Sequence, residues 1–386
     1  MMCWLVSPER IRSGMRITIV QGAFLPVPPV MGGAVEKIWF ALGKEFARRG
    51  HQVTHISRQY GAQRREECIE GVRHLRVPGF DTPSSLVRLK WRDLIYSRRV
   101  LKVLPEADIL VTNTFWLPMF APSSNKGKVY VHVQRYPKGQ MRLYGQAARL
   151  QTVSSVIHEA ICHEAPRLAS RVKTIPNFVS RVGRAPATNS RSKCILYVGR
   201  VHPEKGIHLL IEAFSHLLRA GFRDWRLRVV GPWDVAMGGG GERFFQNLRK
   251  KSRNIEAFVD WAGPIFDAER LSSLYRESSI FVYPSLAGRG EASPLAPIEA
   301  MAEGCPPVVS SLECFRDYLQ PGVNGWVFDE GSQRGTANLA NVLKRLVSDT
   351  DILARAGERA YQTAHAYTLP KIAGQYLADF EEIACS

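Results

Sequence analysis

The sequence predicts an α/β protein made of two doubly wound domains, each a parallel sheet with helices on both faces. Three observations indicate this fold class. The chain of 386 residues is too long for one ordinary hydrophobic core. Short β-branched segments alternate with amphipathic segments along both halves. Residues 176–192, rich in Pro, Ser, Asn and Arg and without periodicity, are typical of an interdomain linker.

The elements of the first half follow this alternation. Strands are predicted at residues 16–20, 52–56, 72–77, 108–112 and 128–133. Apolar side chains recur at helical spacing over residues 34–49, which predicts a helix. We assign residues 15–180 to the N-terminal domain and residues 1–14 to an extension, because Met15 begins the first regular strand.

The second half repeats the pattern, and residues 181–367 are assigned to a C-terminal domain. Its predicted strands are 193–198, 226–230, 280–283 and 307–310, and its predicted helices are 206–219 and 295–303. A last apolar-periodic segment, 369–383, predicts a helix, and we expect residues 368–386 to complete the N-terminal domain. Sheets of this kind bind ligands beyond the carboxyl ends of their strands, so a site is expected in the cleft between the domains.

The net charge of +17 is divided unevenly. Residues 1–180 carry 27 Lys and Arg against 12 Asp and Glu, whereas residues 181–386 carry 25 against 23. So basic a first half is expected to meet a membrane surface, a phosphorylated acceptor or nucleic acid, with a solvated surface as the alternative. The scattered cysteines argue against a disulfide framework or structural zinc. Without a secretory signal or a long apolar run, the protein is expected to be cytoplasmic.

The first segment that carries chemistry is Tyr-Val-Gly-Arg-Val-His-Pro-Glu-Lys-Gly at residues 197–206. A strand ends near Gly199, and Arg200 and Lys205 follow before the next helix. A guanidinium, an ammonium and the free N–H groups of a helix start together favour diphosphate binding. Solvent-facing cations at a helix start are the structural alternative.

The second segment places Glu291 in a Gly-rich loop after a strand and Glu299 inside the following helix. The loop carboxylate can approach a sugar, and the helix carboxylate can accept hydrogen bonds from two ribose hydroxyls. The helix start between them can offer amides to phosphate. Two glutamates at this spacing are by themselves more typical of a protein surface, but the Pro-Ser and Glu-Ala-Met-Ala context makes the pattern specific.

With these motifs the chain resembles glycosyltransferase family 4, retaining enzymes of the GT-B fold, in which two Rossmann-like domains face each other across a cleft. The Glu-x7-Glu pattern of Glu291 and Glu299 and the Gly-Arg…Glu-Lys-Gly run at 199–206 carry most of the resemblance. Three further matches follow in the same order, namely the Gly32-Gly33 loop, Val153-Ser154 before a helix and Ile175-Pro-Asn177 at the domain junction.

The resemblance implies transfer of a hexose-type sugar from a nucleotide sugar, UDP- or GDP-linked, to a glycan or lipid-linked acceptor. It places the reaction in the synthesis of cell-surface polysaccharide or glycoconjugate, and it implies no cofactor besides the donor. In this scheme Arg200 and Lys205 hold the donor diphosphate and stabilise it as it leaves. Glu299 binds the ribose, and Glu291 contacts the donor sugar.

Two residues of the first half also receive roles from the resemblance. Gly33 would let the backbone approach the donor phosphates from across the cleft, because a side chain there would block the approach. His132 corresponds to a histidine that often faces the transferred sugar in the family. A hydrogen-bonded histidine at a strand end is the alternative.

One departure from the family concerns the residues after Glu291. Many members have Gly-Phe-Gly there, whereas this chain has Ala292-Ser293-Pro294. Proline has no N–H group, so the phosphate-facing amides are expected from Leu295 and Ala296, with Pro294 at the first helical position.

The sequence has no Asp-x-Asp motif after an apolar strand, so catalysis without a metal is expected. The positive charges of Arg200 and Lys205 would then stabilise the leaving diphosphate. Nucleotide-sugar epimerases and phosphorylases share the fold and are one alternative. A basic nucleic-acid-binding or scaffolding protein is the other. We expect no nucleic-acid partner, because the cations are not interleaved with stacking aromatics.

Residues 86–104 carry six cations and one acid among apolar side chains. They predict either a helix on an anionic membrane, with Trp91 and Leu94 toward lipid, or an amphipathic helix packed on the N-terminal sheet. A peripheral location on the inner face of the membrane and a lipid-diphosphate-linked acceptor would explain the uneven charge.

Overall fold

The computed structural model describes residues 14–122, 125–183, 191–331 and 334–385. Within these residues the strands form two sheets, one from each half of the chain. Residues 1–13 of the predicted extension and residues 184–190 of the predicted linker lie outside the described part. The predicted domain limits at 180 and 367 therefore stay predictions.

The first sheet is parallel except at one edge. Its strands are β1 (Arg16–Val20), β2 (Gln52–Arg58), β3 (Glu66–Ile69), β4 (Val72–Val77), β5 (Ile109–Thr112), β6 (Lys128–Val133), β7 (Arg149–Thr152) and β8 (Val172–Thr174). Their order is β3-β4-β2-β1-β5-β6-β7-β8, and β3 alone among the described strands runs antiparallel to its neighbour. The chain reverses its direction of winding between β1 and β5, and the loops there open a crevice.

Helices cover both faces of the first sheet. In the first half they are α1 (Ala34–Arg48), α2 (Leu86–Leu101), α3 (Leu117–Phe120) and α4 (Ser155–Glu164). Helix α1 buries Trp39, Leu42 and Phe46 against the sheet, as its apolar spacing predicts.

The second sheet is also a parallel sheet flanked by helices, with six strands instead of eight. Its strands are β9 (Ser192–Val198), β10 (Arg226–Val230), β11 (Val259–Gly263), β12 (Ser278–Tyr283), β13 (Pro307–Ser310) and β14 (Trp326–Phe328). Its helices are α5 (Ile207–Arg219), α6 (Glu242–Lys251), α7 (Ala268–Glu277), α8 (Leu295–Ala302), α9 (Gly335–Val347) and α10 (Thr350–Ala364). The order β11-β10-β9-β12-β13-β14 puts the reversal between β9 and β12, whose following loops carry Arg200 and Glu291.

The last helix, α11 (Leu369–Cys385), returns to the first sheet. Phe380 is fully buried there, with its ring 4.9 Å from that of Tyr130 and 5.7 Å from that of Phe46. The Tyr130 hydroxyl donates to Asp379 at 2.8 Å, and Asp379 also forms an ion pair with Arg149 at 2.7 Å. The chain end therefore contributes to the core of the first sheet.

Most strands predicted from the sequence are confirmed, although the structure extends several by one or two residues. The predicted helix over 86–104 is shorter and ends at Leu101. Strands β3, β7, β8, β11 and β14 and several helices were not predicted. In the described part of the chain, no helix combines the length and apolar character needed to cross a bilayer.

Candidate active site

A cleft of about 970 Å³ lies between the carboxyl ends of the two sheets. Four predicted site residues line it: Gly33 and His132 from the first half, and Arg200 and Glu291 from the second. The other four predicted residues belong to the elements behind this lining, and they are Lys205, Leu295, Ala296 and Glu299. The structure therefore brings together motifs that are far apart in sequence.

The strongest contact in the site is an ion pair between the Lys205 ammonium and Oε1 of Glu291. Both side chains are only 7% exposed. The same carboxylate oxygen also accepts from the hydroxyl of Tyr283 at 3.0 Å and from that of Ser285 at 2.7 Å. Among the described residues no donor reaches Oε2 of Glu291, so this oxygen is left for a ligand.

Glu291 thus accepts from three donors, which belong to two separate segments of the chain. The ammonium comes from the β9–α5 loop, and both hydroxyls come from the end of β12 and the residues after it. The sequence analysis did not single out Tyr283 and Ser285, although both directly precede the loop that carries Glu291. The Lys205 ammonium has three N–H donors, and two remain after the bond to Glu291.

Arg200 lies at the cleft surface, with its side chain 43% exposed. Its Nη1 donates to the carbonyl of Gly238 at 2.7 Å, and its Nη2 donates to Glu204 at 2.8 Å. Tyr197 holds the same loop by donating from its hydroxyl to the Arg200 carbonyl at 2.9 Å. The guanidinium is therefore positioned by its neighbours, and its remaining donors can reach a ligand in the cleft.

Helix α8 begins at Leu295, with Pro294 as the residue before it. The prediction that Pro294 takes the first helical position was wrong by one residue, because its ψ of 131° is extended. A helix start leaves its first amides without intrahelical acceptors. Proline occupies both position 294 and position 297 and has no N–H, so the free amides of this turn are those of Leu295 and Ala296.

Glu299 lies one turn into α8 and is half-buried. The hydroxyl of Tyr275 donates to its Oε2 at 3.2 Å. Burial raises the pKa of the Glu299 carboxyl, while the hydrogen bond from Tyr275 and the charge of Lys37 on α1 act against this shift.

Gly33 directly precedes α1 and has a φ of 96°, a conformation that favours glycine. A Cβ atom there would lie 2.1 Å from Oε2 of Glu36 and 2.8 Å from Cδ1 of Leu25. Glu36 is buried beside the cleft and lines it. Burial raises the pKa of its carboxyl, against a hydrogen bond from its own amide and the charge of Arg135.

The sequence analysis did not single out Glu36. The available signal was its place in the first turn of a helix that follows two glycines, where a carboxylate interacts favourably with the helix dipole. Its carboxylate covers the glycine that the resemblance assigns to the donor phosphates.

His132 is buried at the end of β6 and still borders the cleft. Its Nδ1 lies 2.5 Å from Oε1 of Gln151, whose amide nitrogen donates to the carbonyls of Thr152 and Ile175. Gln151 therefore presents its oxygen to the ring, and Nδ1 carries the proton. Burial lowers the pKa of His132, which favours the neutral ring.

The second ring nitrogen of His132, Nε2, lies 2.7 Å from the side-chain amide of Gln134. A neutral ring protonated at Nδ1 requires Gln134 to turn its NH2 group toward Nε2. The histidine is thus hydrogen-bonded at a strand end, as in the alternative interpretation, and it also faces the cleft, as the resemblance implies.

Three further cations line the cleft, namely Arg135, Lys138 and Arg289. Within the described part of the chain none of them forms a salt bridge, in contrast to Arg200 and Lys205. All three are exposed. Among the described residues, no group of three or more His, Cys, Asp or Glu side chains is placed to hold a metal ion. The predicted independence from metals stays a prediction.

The two opposed sheets and the cleft between their switch points define a two-domain α/β protein. Solved structures share this architecture. Sucrose-phosphate synthase from Thermosynechococcus elongatus has a TM-score of 0.75 and 18% identity, with 96% of this chain and 100% of that chain covered. HepE from Anabaena, in complex with UDP and glucose, has a TM-score of 0.70 and 18% identity, with 95% and 100% covered. The chain has the GT-B fold, as predicted.

Two family models match consecutive parts of the sequence. Residues 31–181 match the model described as Glycosyltransferase Family 4, and residues 183–363 match the model described as Glycosyl transferases group 1. The chain belongs to glycosyltransferase family 4, and the resemblance seen in its motifs is confirmed.

Known relatives include the phosphatidyl-myo-inositol mannosyltransferase of Mycobacterium leprae. It is 26% identical over 195 residues, which cover 50% of this chain and 48% of that protein. WcaL of Escherichia coli strain K12, a glycosyltransferase named for colanic acid biosynthesis, is 31% identical over 189 residues, or 47% of this chain and 42% of that protein. The chain therefore spans less than half the length of these two relatives.

Proposed function

We propose that the protein is a retaining glycosyltransferase that moves a hexose-type sugar from a UDP- or GDP-linked donor to a glycan or lipid-linked acceptor. We place the reaction in the synthesis of cell-surface polysaccharide or glycoconjugate. The observation that carries the proposal is the buried carboxylate of Glu291. Lys205, Tyr283 and Ser285 hold one of its oxygens, and no donor among the described residues reaches the other. A carboxylate so fixed beside a cleft is suited to accept a hydrogen bond from a sugar hydroxyl.

The known proteins support the substrate classes. HepE was solved with UDP and glucose and with UDP-glucose, and the names of the relatives refer to a mannosyltransferase for a phosphoinositide and to colanic acid. A nucleotide sugar as donor and a lipid or polysaccharide as acceptor follow as the substrates that we propose here.

On the donor side, the diphosphate would lie between Arg200, Lys205 and the free amides of Leu295 and Ala296. As the bond from the anomeric carbon to the diphosphate oxygen breaks, negative charge develops on the leaving group. Cations and amides already in place oppose that charge without reorganisation, and such electrostatic stabilisation is usually the largest catalytic contribution. In our proposal no metal ion is needed. Glu299, fixed by Tyr275, would accept hydrogen bonds from the ribose hydroxyls.

At the reacting centre, the acceptor hydroxyl would form its bond to the anomeric carbon on the face that the diphosphate leaves. The leaving phosphate oxygen would take the proton of that hydroxyl, so the step balances without a protein base. Neutral His132 and Oε2 of Glu291 would orient the sugar between the two halves. Retention of configuration follows from this geometry of attack.

On the acceptor side, Arg135, Lys138 and Arg289, which form no salt bridge with any described residue, favour an acceptor that carries phosphate. The donor diphosphate already has Arg200 and Lys205 to neutralise it. The three extra positive charges in one cleft would bind a second anion, such as the diphosphate of a lipid-linked glycan.

A thermal-unfolding screen against UDP- and GDP-sugars tests the proposal. A ligand that binds the folded state raises Tm with concentration, so one donor series is expected to stabilise the protein. Mass analysis then identifies the product formed with a diphosphate-linked acceptor. Release of the nucleotide diphosphate together with a glycosylated acceptor supports transfer. An isomerised nucleotide sugar would instead indicate an epimerase, and stabilisation by oligonucleotides alone would indicate a binding protein.

Arg200→Ala is expected to lower turnover by about 100-fold or more, because it removes the guanidinium that stabilises the negative charge on the leaving diphosphate. Arg200 is 43% exposed, so the variant is expected to unfold at nearly the wild-type Tm. Lys205→Ala is expected to lose turnover as well, but also to lose about 3 kcal/mol of stability, because Glu291 is left buried without its partner.

Lys193→Ala is the matched control, since Lys193 pairs with Asp224 on the protein surface outside the cleft lining. It is expected to leave turnover unchanged. Wild-type turnover in Arg200→Ala would contradict the diphosphate assignment.

A further inference from the structure

Helix α2 divides lengthwise into two faces. Its inner face buries Asp93, Tyr96, Ser97 and Val100 against the first half of the protein. The opposite face carries Val87, Trp91, Leu94 and Arg98, which recur at spacings of four, three and four residues. Val87 is 79% exposed and Trp91 is 62% exposed. The inner face therefore packs on the first half, as the amphipathic-helix alternative predicts, and the outer face is open to solvent.

The apolar surface continues beyond the helix. Leu86 is 77% exposed at its first turn, and Phe120 on α3 is 48% exposed. The Phe120 ring stacks on Trp116 with centroids 6.0 Å apart, and Trp116 donates from its indole nitrogen to the carbonyl of Lys90 at 2.8 Å. These contacts fix α3 against α2.

The cations of this surface have no acidic partner. Arg88, Lys90 and Arg98 are exposed, and within the described residues none of them forms a salt bridge. The one acid of α2, Asp93, points inward and accepts from the amides of Phe115 and Trp116 at 3.1 Å each. The outer face of α2 is therefore apolar and positively charged, with no compensating carboxylate of its own.

We propose that this surface docks the protein on an anionic lipid bilayer. The α2 patch, as we name it, consists of Leu86, Val87, Arg88, Lys90, Trp91, Arg98 and Phe120. Exposed aliphatic and aromatic side chains beside cations that form no salt bridge with the described residues match the acyl and headgroup regions of a membrane interface. The apolar groups enter the acyl boundary, Trp91 lies at the headgroup level, and the cations meet anionic headgroups.

The composition of the patch favours lipid over nucleic acid. A polyanion in water would gain binding free energy from contacts with Arg88, Lys90 and Arg98, but not from the apolar side chains of Leu86 and Val87. A bilayer favours both kinds of side chain, because anionic headgroups attract the cations and the acyl region takes up the apolar groups.

The position of the α2 patch connects it with the cleft. Asp93 ties α2 to the loop of Phe115, and Phe115 is one of the residues that line the cleft. A protein docked through α2 would therefore hold its cleft close to the bilayer. Docking itself does not depend on the proposed sugar transfer.

Flotation with lipid vesicles tests the proposal. The full chain is expected to bind vesicles of phosphatidylcholine with about one third phosphatidylglycerol at least about tenfold more than pure phosphatidylcholine vesicles. The apolar variant Val87→Ser/Trp91→Ala is expected to lose about tenfold or more of that binding. The charge variant Arg88→Gln/Lys90→Gln/Arg98→Gln is expected to lose the preference for the anionic vesicles.

A matched control carries the same kinds of substitution on the second half. The variant Arg243→Gln/Lys250→Gln/Phe266→Ala removes two exposed cations and a ring that is 82% exposed, and it is expected to bind vesicles as the wild type does. Thermal unfolding of each variant confirms that it is folded. The thermal shift with nucleotide sugars, unchanged in the patch variants, separates this test from the test of sugar transfer.

Three outcomes would overturn the proposal. They are equal recovery of the wild type with anionic and neutral vesicles, undiminished vesicle binding of the patch variants, and loss of binding in the control. Binding of the wild type to a single-stranded oligonucleotide is measured as a further comparison. If the oligonucleotide binds the wild type as strongly as the anionic vesicles do, and if the apolar variant leaves vesicle binding intact, the patch is a general polyanion site.

Discussion

At the scale of single residues, Gly32 and Gly33 look alike in the sequence but face different surroundings. Both have a positive φ, 80° and 96°. A Cβ atom on Gly32 would meet nothing within 4 Å, whereas one on Gly33 would meet the Glu36 carboxylate at 2.1 Å. Only Gly33 is therefore needed for space as well as for backbone conformation.

Replacing Gly33 with Ala is expected to weaken donor binding by about tenfold and to lower stability by about 2 kcal/mol, because the strained φ and the contact with Glu36 act together. Titration calorimetry with the stabilising nucleotide sugar and urea unfolding measure the two effects. Gly32→Ala shares the strained φ without the contact, so it is expected to lose about 1 kcal/mol and little affinity. Equal affinity losses in both variants would contradict the role of crowding at Gly33.

Sequence motifs predicted some residues of the site and missed others. Glu291 and Arg200 were found because their local context is distinctive. Lys205 was found as well, but its ion pair with Glu291 was not predicted, since the two residues lie 86 positions apart and the choice of hydrogen-bond partner depends on how two loops meet. Glu36 was missed for a similar reason. Its importance arises from the closeness of Gly33, Arg135 and the cleft, which no local pattern encodes.

At the scale of elements, Asp93 connects α2 to the cleft loop. It is 4% exposed, and a single carboxylate oxygen, Oδ2, accepts from both amides, those of Phe115 and Trp116. Burial raises the pKa of Asp93 from 3.8 to about 6, while the two amide bonds act against the shift. The connection is therefore sensitive to pH.

The sign of this sensitivity follows from the raised pKa. Between about pH 4 and pH 6 the folded state holds the Asp93 proton more tightly than the unfolded state does, so this group lowers stability as pH rises through the window. The loss is expected to reach about 2 to 3 kcal/mol above the window. Asp93→Asn keeps an oxygen for both amides and is expected to abolish this part of the pH dependence.

Urea unfolding across the pH series measures the effect. Asp81→Asn is the control, because the Asp81 side chain is 84% exposed, in contrast to that of Asp93. It is expected to keep the wild-type slope over the window. A wild-type slope in Asp93→Asn would show that another group titrates there.

Elements with regular apolar spacing were predictable, and β1, β4, β6, β10 and β13 match their predicted limits. Strand β7 was not, because its sequence Arg-Leu-Gln-Thr looks polar although all four residues are buried. Arg149 is neutralised by Asp379 from the other end of the chain, and Gln151 bonds to His132 and to two carbonyls. A polar central strand is stable only with such distant partners. Strand β14 has three residues, too few for any periodicity.

At the scale of the whole molecule, α11 joins the two ends of the chain in one core. Phe380→Ala is expected to cost about 3 to 5 kcal/mol, because it removes a fully buried ring that packs on Tyr130 and Phe46. Urea unfolding with the intrinsic fluorescence as signal measures the change.

Lys371→Ala on the exposed side of the same helix is the control and is expected to change stability by less than about 0.5 kcal/mol. A loss below about 1 kcal/mol in Phe380→Ala would mean that the first sheet does not depend on α11.

The return of α11 also orders events on the ribosome. Domains generally fold as they emerge, with the N-terminal one first. Here the 17 residues that cover the apolar groove between Phe46 and Tyr130 are translated after every strand of both sheets. The N-terminal half is synthesised first but keeps that groove exposed until α11 has been made. The C-terminal half can therefore finish folding before the N-terminal half does. Nascent chains halted before Leu369 are expected to bind ribosome-associated chaperones at the uncovered groove. The chaperones are expected to dissociate once α11 is free to pack there.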